Sequence, residues 1–364
     1  LRPILVILCV TVIVVGIFAT GWHFISARYV DPVDASSTAA VTFEVKSGSS
    51  LTRVANNLEA AGLVRNRSVF KYYADFLGYG QKIQAGTYML SPSMTLREIA
   101  EQLTRGDGTP LVRRITIIEG WTVQNIAAYL KREGVISDEE QFLSLCRTGE
   151  RFSAYYYIAD VRASANFSQR IYALEGYLSP NTYEIYTSAT PEEIIKKLLS
   201  QTEAVFRDEW HDRADALGMT MDQVITLASL IEKEAKQADF ARVSAVFHNR
   251  LKINMALGSD VTIKYVTGTE RMSLNNSDLS VDSPYNTYRN KGLPPGPSCN
   301  PSAAAIEAAL YPDETFTAQN YLYFCSKDPA TGELYFSRTL EEHEAAVKIY
   351  APLWQAYDEK TGAK

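Results

Sequence analysis

Apolar and polar residues recur along this chain with several distinct periods, and each period predicts a different kind of element. Residues 4–25 (ILVILCVTVIVVGIFATGWHFI) contain no charged side chain. At about 1.5 Å per residue, such a helix spans a hydrocarbon layer of about 30 Å. The run exceeds the apolar core of a cleaved signal, about 7–15 residues, and no A-x-A site follows it. Trp22, His23 and Tyr29 fall where an interfacial aromatic belt would lie. Residues 1–27 therefore read as a retained transmembrane anchor, with the body outside the cytoplasm. Residues 28–40 include the small, polar DPVDASSTAA and read as a linker.

The next stretch repeats itself. Gly48, Leu58, Gly62 and Phe70 recur as Gly120, Leu130, Gly134 and Phe142, at a constant offset of 72 residues. Each copy predicts a strand, a Gly turn, an amphipathic helix, a second Gly turn and a second helix. Val54, Leu58 and Ala61 share one helical face in the first copy, and Gly62 ends the helix. Ser50 or Thr52 in one copy and Thr122 in the other sit as N-caps. A strand over Gln84–Leu90 and a helix over Leu96–Leu103 would close the first copy into a βααβ module, residues 41–110. The second copy falls within 111–180. Two copies suit grip on a long polymer, although duplication serving only the fold explains them equally well.

From Pro191 the pattern turns helical, with Thr190 as N-cap and Pro191 at the first position. Helices are predicted over MTMDQVITLASLIEKEA, ARVSAVFHNRLKI and Ala303–Leu310. A hairpin is predicted around Asp328–Gly332, and a loose polar tail over 358–364. The predicted class is α+β: a transmembrane helix, a small βααβ module, then a mixed α+β region whose core is 181–357.

Composition narrows the function. The net charge is -6, and there is no Lys/Arg stripe of the kind a nucleic-acid binder carries. The four cysteines show no C-x-x-C and the four histidines no H-E-x-x-H, so neither a metal site nor a cofactor is expected. Cys299 and Cys325 could form one bridge; buried free thiols are the preferred reading.

One helix carries candidate chemistry. At about 100° per residue, Val224, Leu227, Ala228, Ile231 and Ala235 share a stripe. Glu232 and Glu234 flank that stripe on opposite sides, and Lys233 points away. A carboxyl at such an edge can be desolvated and hold its proton, as a general acid must. A solvated charge run gives the same pattern, and the wheel does not choose between the two glutamates. Asp260, Thr262 and Tyr265 follow in what reads as a turn-rich strand. Then come Y285-N-T-Y288 and G292-L-P-P-G296, a mixture of aromatic faces, amides and rigid turns that suits sugars as well as ordinary loops.

The strings A228-S-L-I-E-K-E234, S244-A-V-F-H-N-R-L251, L257-G-S-D-V-T262, Y285-N-T-Y288, G292-L-P-P-G296 and L174-E-G-Y-L-S-P-N-T-Y183 all occur in this chain. Together they resemble the MltG (YceG-like) endolytic murein transglycosylase family over about residues 41–355. Val261 and Ser179 depart from its usual Pro and Phe. The resemblance implies a LysM-like module over 41–110 and a catalytic region over 111–357. It implies peptidoglycan glycan strands as substrate and peptidoglycan synthases as partners at the cell membrane. It maps the catalytic acid/base onto Glu232. Tyr265, Asn286, Tyr288 and Asn249 are then expected to position substrate, with Glu175 and Asp260 in support. The implied reaction protonates the MurNAc–GlcNAc oxygen and closes the sugar's own 6-hydroxyl onto the cationic centre. This leaves a 1,6-anhydro end, and cutting nascent strands would terminate their elongation. On this mapping Glu232→Gln abolishes cleavage and Glu234→Gln costs much less. Two readings compete with it: a non-catalytic wall-binding division scaffold, and a hydrolase that uses water and a second carboxylate such as Asp260.

Overall fold

The computed structural model describes residues 30–37, 39–105, 112–186 and 189–362. The anchor expected over 1–27 lies outside the described residues. None of the described helices is long and apolar enough to cross a membrane. The chain divides into two compact units. Among the described residues, one comprises those up to Arg114 with those of 184–189; the other comprises Ile115–Tyr183 and those from Thr190 onward.

The first unit has the order β1 (Val41–Val45), α1 (Leu51–Ala60), α2 (Arg67–Phe76), β2 (Gly86–Leu90) and α3 (Leu96–Arg105). β1 and β2 pair antiparallel, with Phe43 opposite Tyr88. Alternate residues of the strands, Phe43, Val45, Tyr88 and Leu90, meet Val54, Leu58, Phe70, Ile99 and Leu103 from the helices in one core. Ser50 caps α1 by accepting from the Arg53 amide, so Ser50 rather than Thr52 is the N-cap. The linker expected over 28–40 is docked rather than free in its described part. Val30 packs against this core. Arg65 Nη2 donates to Pro32 O at 2.7 Å, and the Asp34 amide donates to Pro92 O at 3.0 Å.

The repeat is structural. β3 (Val112–Ile117) is followed by α4 (Val123–Arg132) and α5 (Glu139–Thr148). The bounds of α1 and α2, moved by 72 residues, coincide with those of α4 and α5. The turn glycines keep their left-handed backbone in both copies: φ is 71° at Gly48 and 74° at Gly120, 68° at Gly62 and 63° at Gly134. Closure differs. Residues 77–85 separate the second helix from its closing strand in the first copy. In the second copy residues 149–180 intervene, including α6 (Tyr156–Ala163), before β4 (Asn181–Tyr186) pairs with β3.

The second unit continues with α7 (Pro191–Val205), α8 (Asp208–Ala216), α9 (Met221–Glu234) and α10 (Phe240–Lys252). Thr190 caps α7 as expected, and with Glu193 it forms a capping box. α9 is not the half-exposed helix that the wheel describes. Every residue from Val224 to Ile231 is buried, Thr226 and Ser229 included. The Ser229 hydroxyl is satisfied in this interior: its Oγ donates to Thr226 O at 2.7 Å and accepts from the Ser298 amide at 3.0 Å.

The stretch expected to be a turn-rich strand is helix α11 (Asp260–Thr267), closed by left-handed Gly268 at φ 73°. Its β-branched residues favour a strand locally. Burial of Val261, Thr262 and Ile263 against the unit's interior overrides that preference. After α12 (Asn276–Leu279), α13 (Ala303–Leu310) and α14 (Glu314–Ala318), the hairpin of β5 (Tyr323–Asp328) and β6 (Glu333–Ser337) leads into α15 (Leu340–Thr361). The expected loose tail is helical to Thr361. Asp358 holds the Met272 and Ser273 amides at 2.7 and 2.9 Å. Cys146, Cys299 and Cys325 are free and buried.

Candidate active site

α9 ends at a cavity of about 850 Å³ within the second unit. Its wall includes Lys233 and Glu234 from that end, Asp260, Lys264 and Tyr265 from α11, Tyr288, and Thr122, Gln124 and Asn125 at the start of α4. Glu232 is not on the wall. Its Oε2 accepts the Ser302 amide at 2.9 Å and the Ser302 hydroxyl at 2.6 Å, which ties the end of α9 to the N-cap of α13. Residues two apart on a helix cannot face the same way. The two glutamates therefore have separate surroundings, and the second of them has the cavity.

Glu234 is a carboxyl whose proton affinity is raised towards neutrality. Burial pushes its pKa up to about 7, and the negative charge of Asp260 adds to the effect. The hydrogen bond from Ser259 Oγ and the charges of Lys264 and Arg250 oppose the rise. Its place in the last turn of α9, where the helix dipole disfavours an anion, acts with the burial. Asp260 is raised too, chiefly by burial. Tyr288 Oη donates to Asp260 Oδ1 at 2.5 Å. The site thus pairs two desolvated carboxyls with a phenol, ringed by Lys264 and Arg250. Such a group can deliver a proton near neutral pH and receive one back.

Glu175 has a supporting place. It is fully buried, and its pKa is pushed up to about 8 by burial despite its hydrogen bonds. It accepts from the Val123 amide at 3.0 Å, from Asn300 Nδ2 at 3.1 Å and from Tyr265 Oη at 3.1 Å. One carboxyl thus fixes the start of α4, the loop before α13 and a cavity-lining ring. Gly176, at φ 88°, makes this possible. A Cβ there would meet Pro297 Cγ at 2.5 Å and Ile225 Cγ2 at 2.8 Å.

A model of the YceG-like family matches residues 43–349. The chain belongs to the YceG-like family. A Bacillus subtilis protein named endolytic murein transglycosylase is 35% identical over 331 residues, covering 88% of this chain and 87% of its own. A Streptococcus pneumoniae protein of the same name is 32% identical over 345 residues, covering 87% of this chain; the chain spans 59% of that relative's length. A crystal structure of a yceG-like protein from Listeria monocytogenes aligns with a TM-score of 0.55 at 32% identity, covering 85% of this chain and 99% of that one.

Within this YceG-like chain the expected site residues separate into two groups. Asp260, Tyr265 and Tyr288 line the cavity. Asn286 is fully buried, and its Nδ2 donates to Leu279 O at 3.0 Å and Val281 O at 2.8 Å. Asn249 Nδ2 donates to Phe316 O at 3.2 Å and Tyr321 O at 3.0 Å. The Nδ2 groups of both amides thus hold loops, and neither residue lines the cavity. Ser259, Arg250 and the start of α4 were not legible as part of this site. Helical spacing had already separated the two glutamates, but only the surrounding loops decide which of them meets the cavity.

Proposed function

We propose that this chain is an endolytic murein transglycosylase that cuts peptidoglycan glycan strands, with Glu234 rather than Glu232 as its acid/base residue. The observation that carries the reading is the desolvated Glu234 carboxyl on the cavity wall, near neutral pH in its proton affinity. The names of the Bacillus and Streptococcus relatives supply the substrate. Glu234 protonates the oxygen between MurNAc and GlcNAc. The sugar's 6-hydroxyl then attacks the cationic carbon and returns its proton to Glu234. The bond to the leaving sugar breaks, a bond within the retained sugar forms, and no water is consumed. Tyr265 and Tyr288 offer aromatic faces to the sugar.

A hydrolytic reading is favoured by one observation, the second carboxyl of Asp260 in the same cavity. As a base it would activate a water in place of the 6-hydroxyl. Mass spectrometry of the cut strands separates the two reactions. Ends lighter by one water support the transglycosylase; reducing ends alone overturn it in favour of hydrolysis. A third possibility, the non-catalytic scaffold, predicts no cut at all. We further place the chain at the bacterial membrane through residues 1–27, with the body extracytoplasmic and the 41–110 module LysM-like, acting on nascent strands beside their synthases. Protease added to spheroplasts should digest the body; a protected body rejects this orientation.

A further inference from the structure

The Glu234 cavity has a second end, chemically unlike the first. Tyr323, Phe324, Leu334, Leu340, Val347 and Trp354 line it, from the β5–β6 hairpin and α15. Two contacts fix this wall. Trp354 Nε1 donates to Ser326 O at 2.8 Å, pinning α15 to β5. The His343 ring stacks on Tyr323 at 5.2 Å with 23° between planes. Arg250 stands at the junction of the two ends. Its guanidinium lies 5.3 Å from the Tyr323 ring centre. Its Nε donates to Leu322 O and its Nη1 to Leu257 O, each at 2.6 Å. Its charge reaches Glu234 on one side and His343 on the other.

A bare glycan does not account for the apolar end. Sugar edges carry hydroxyls, and burying one against Leu334, Leu340 or Val347 leaves it without a hydrogen-bond partner, which disfavours binding. The wall suits an extended segment with small apolar side chains and an occasional carboxylate for Arg250. A peptidoglycan strand carries such a segment: the short alanine-containing peptide on the lactyl ether of alternate sugars. Because that peptide is bonded to the sugar ring itself, it must leave the catalytic end through space continuous with it. The two ends are one cavity.

Resting on the reading of this cavity as a glycan-cutting site, we propose that its β5–β6/α15 end binds the stem peptide of the sugar held beside Glu234. The chain then selects strands that still bear peptides over strands from which an amidase has stripped them. Selection comes from apolar burial plus the Arg250 charge, whereas cleavage comes from the carboxyl end.

The test is binding, which does not depend on turnover. Full-length Glu234→Gln protein is titrated with peptide-bearing and with peptide-stripped murein oligosaccharides of equal length. The expected result is about tenfold tighter binding of the peptide-bearing form, as burial of one or two methyl-sized groups would give. Adding Leu340→Gln or Val347→Gln should shrink that ratio to below about threefold. Ile349→Gln, exposed on the same helix and off the cavity wall, should leave the ratio unchanged. Equal affinity for the two oligosaccharides overturns the inference, as does a ratio untouched by both cavity variants. Competition by a polyprenyl phosphate but not by free stem peptide also overturns it, making this end a lipid site. If the ratio behaves as expected while the wild type cuts neither strand, the peptide site stands and the cleavage reading falls.

Discussion

At the scale of the residue, the decisive distinction is between two glutamates separated by one lysine. Apolar patterning in α9 is uninformative there, because a helix buried all round has no polar face to aim. The loops that meet its last turn, Ser259–Asp260 and Ser302, come from 25 and 70 residues further along the chain. No local pattern encodes their arrival, which is why the motif was legible and the glutamate that meets the cavity was not. Glu234→Gln should lower strand cleavage by about 10²–10⁴-fold, the usual worth of a positioned acid/base. Glu232→Gln keeps one acceptor for Ser302 and should cost less than about tenfold, with a modest drop in thermal midpoint. Equal losses, or the reverse order, would return the role to Glu232. The neighbouring charge gives a second test. With Glu234 near 7, cleavage should fall as pH rises above that value. Removing the Asp260 charge with Asp260→Asn lowers the proton affinity of Glu234, so the alkaline limb of the rate profile should move to lower pH. A limb that stays in place would show that Asp260 does not tune Glu234.

At the scale of the element, the repeat was legible because its signals are local. Gly48 and Gly120 need left-handed backbone, Ser50 and Thr122 cap helices, and Leu58 and Leu130 are fully buried. α11 was not legible, since its β-branched residues pointed to a strand and only its burial made it a helix. Between these cases lies the turn at Leu174–Leu178, whose sequence was noticed and whose use was not. Leu178 N donates to Asn300 Oδ1 at 2.8 Å, and Tyr177 Oη donates to Asp222 Oδ1 at 2.7 Å, so the turn clamps the loop before α13 to α9. Gly176→Ala places a methyl inside Pro297 and Ile225 and strains a positive φ. It should destabilise the protein by about 2–4 kcal/mol, read as a lower denaturation midpoint, with cleavage falling at temperatures where the fold persists. An unchanged midpoint would mean that the turn does not clamp the loop.

At the scale of the whole molecule, the buried carboxyls tie stability to pH. The folded pKa of Glu175 is near 8, well above its ordinary value of 4.5. A raised folded pKa means that the native state holds the proton more tightly than the unfolded chain. That contribution is complete below 4.5 and is lost as pH rises towards 8. Each tenfold difference in proton affinity between the two states is worth about 1.4 kcal/mol. Glu234 adds a smaller loss between 4.5 and about 7. The thermal midpoint should therefore fall from about pH 5 to about pH 8, and Glu175→Gln should flatten most of that slope. A midpoint that rises across this window contradicts the assignment. The two copies of the repeat also differ in how far the chain must travel to close each one. β1 finds β2 within residues 41–90, while β3 must wait for β4 across residues 112–186. Longer closure costs more chain entropy before contacts repay it, so the first copy should assemble sooner during refolding. Pulsed hydrogen exchange should protect the amides of β1 and β2 ahead of those of β3 and β4, giving two near-identical motifs different birth times in one chain.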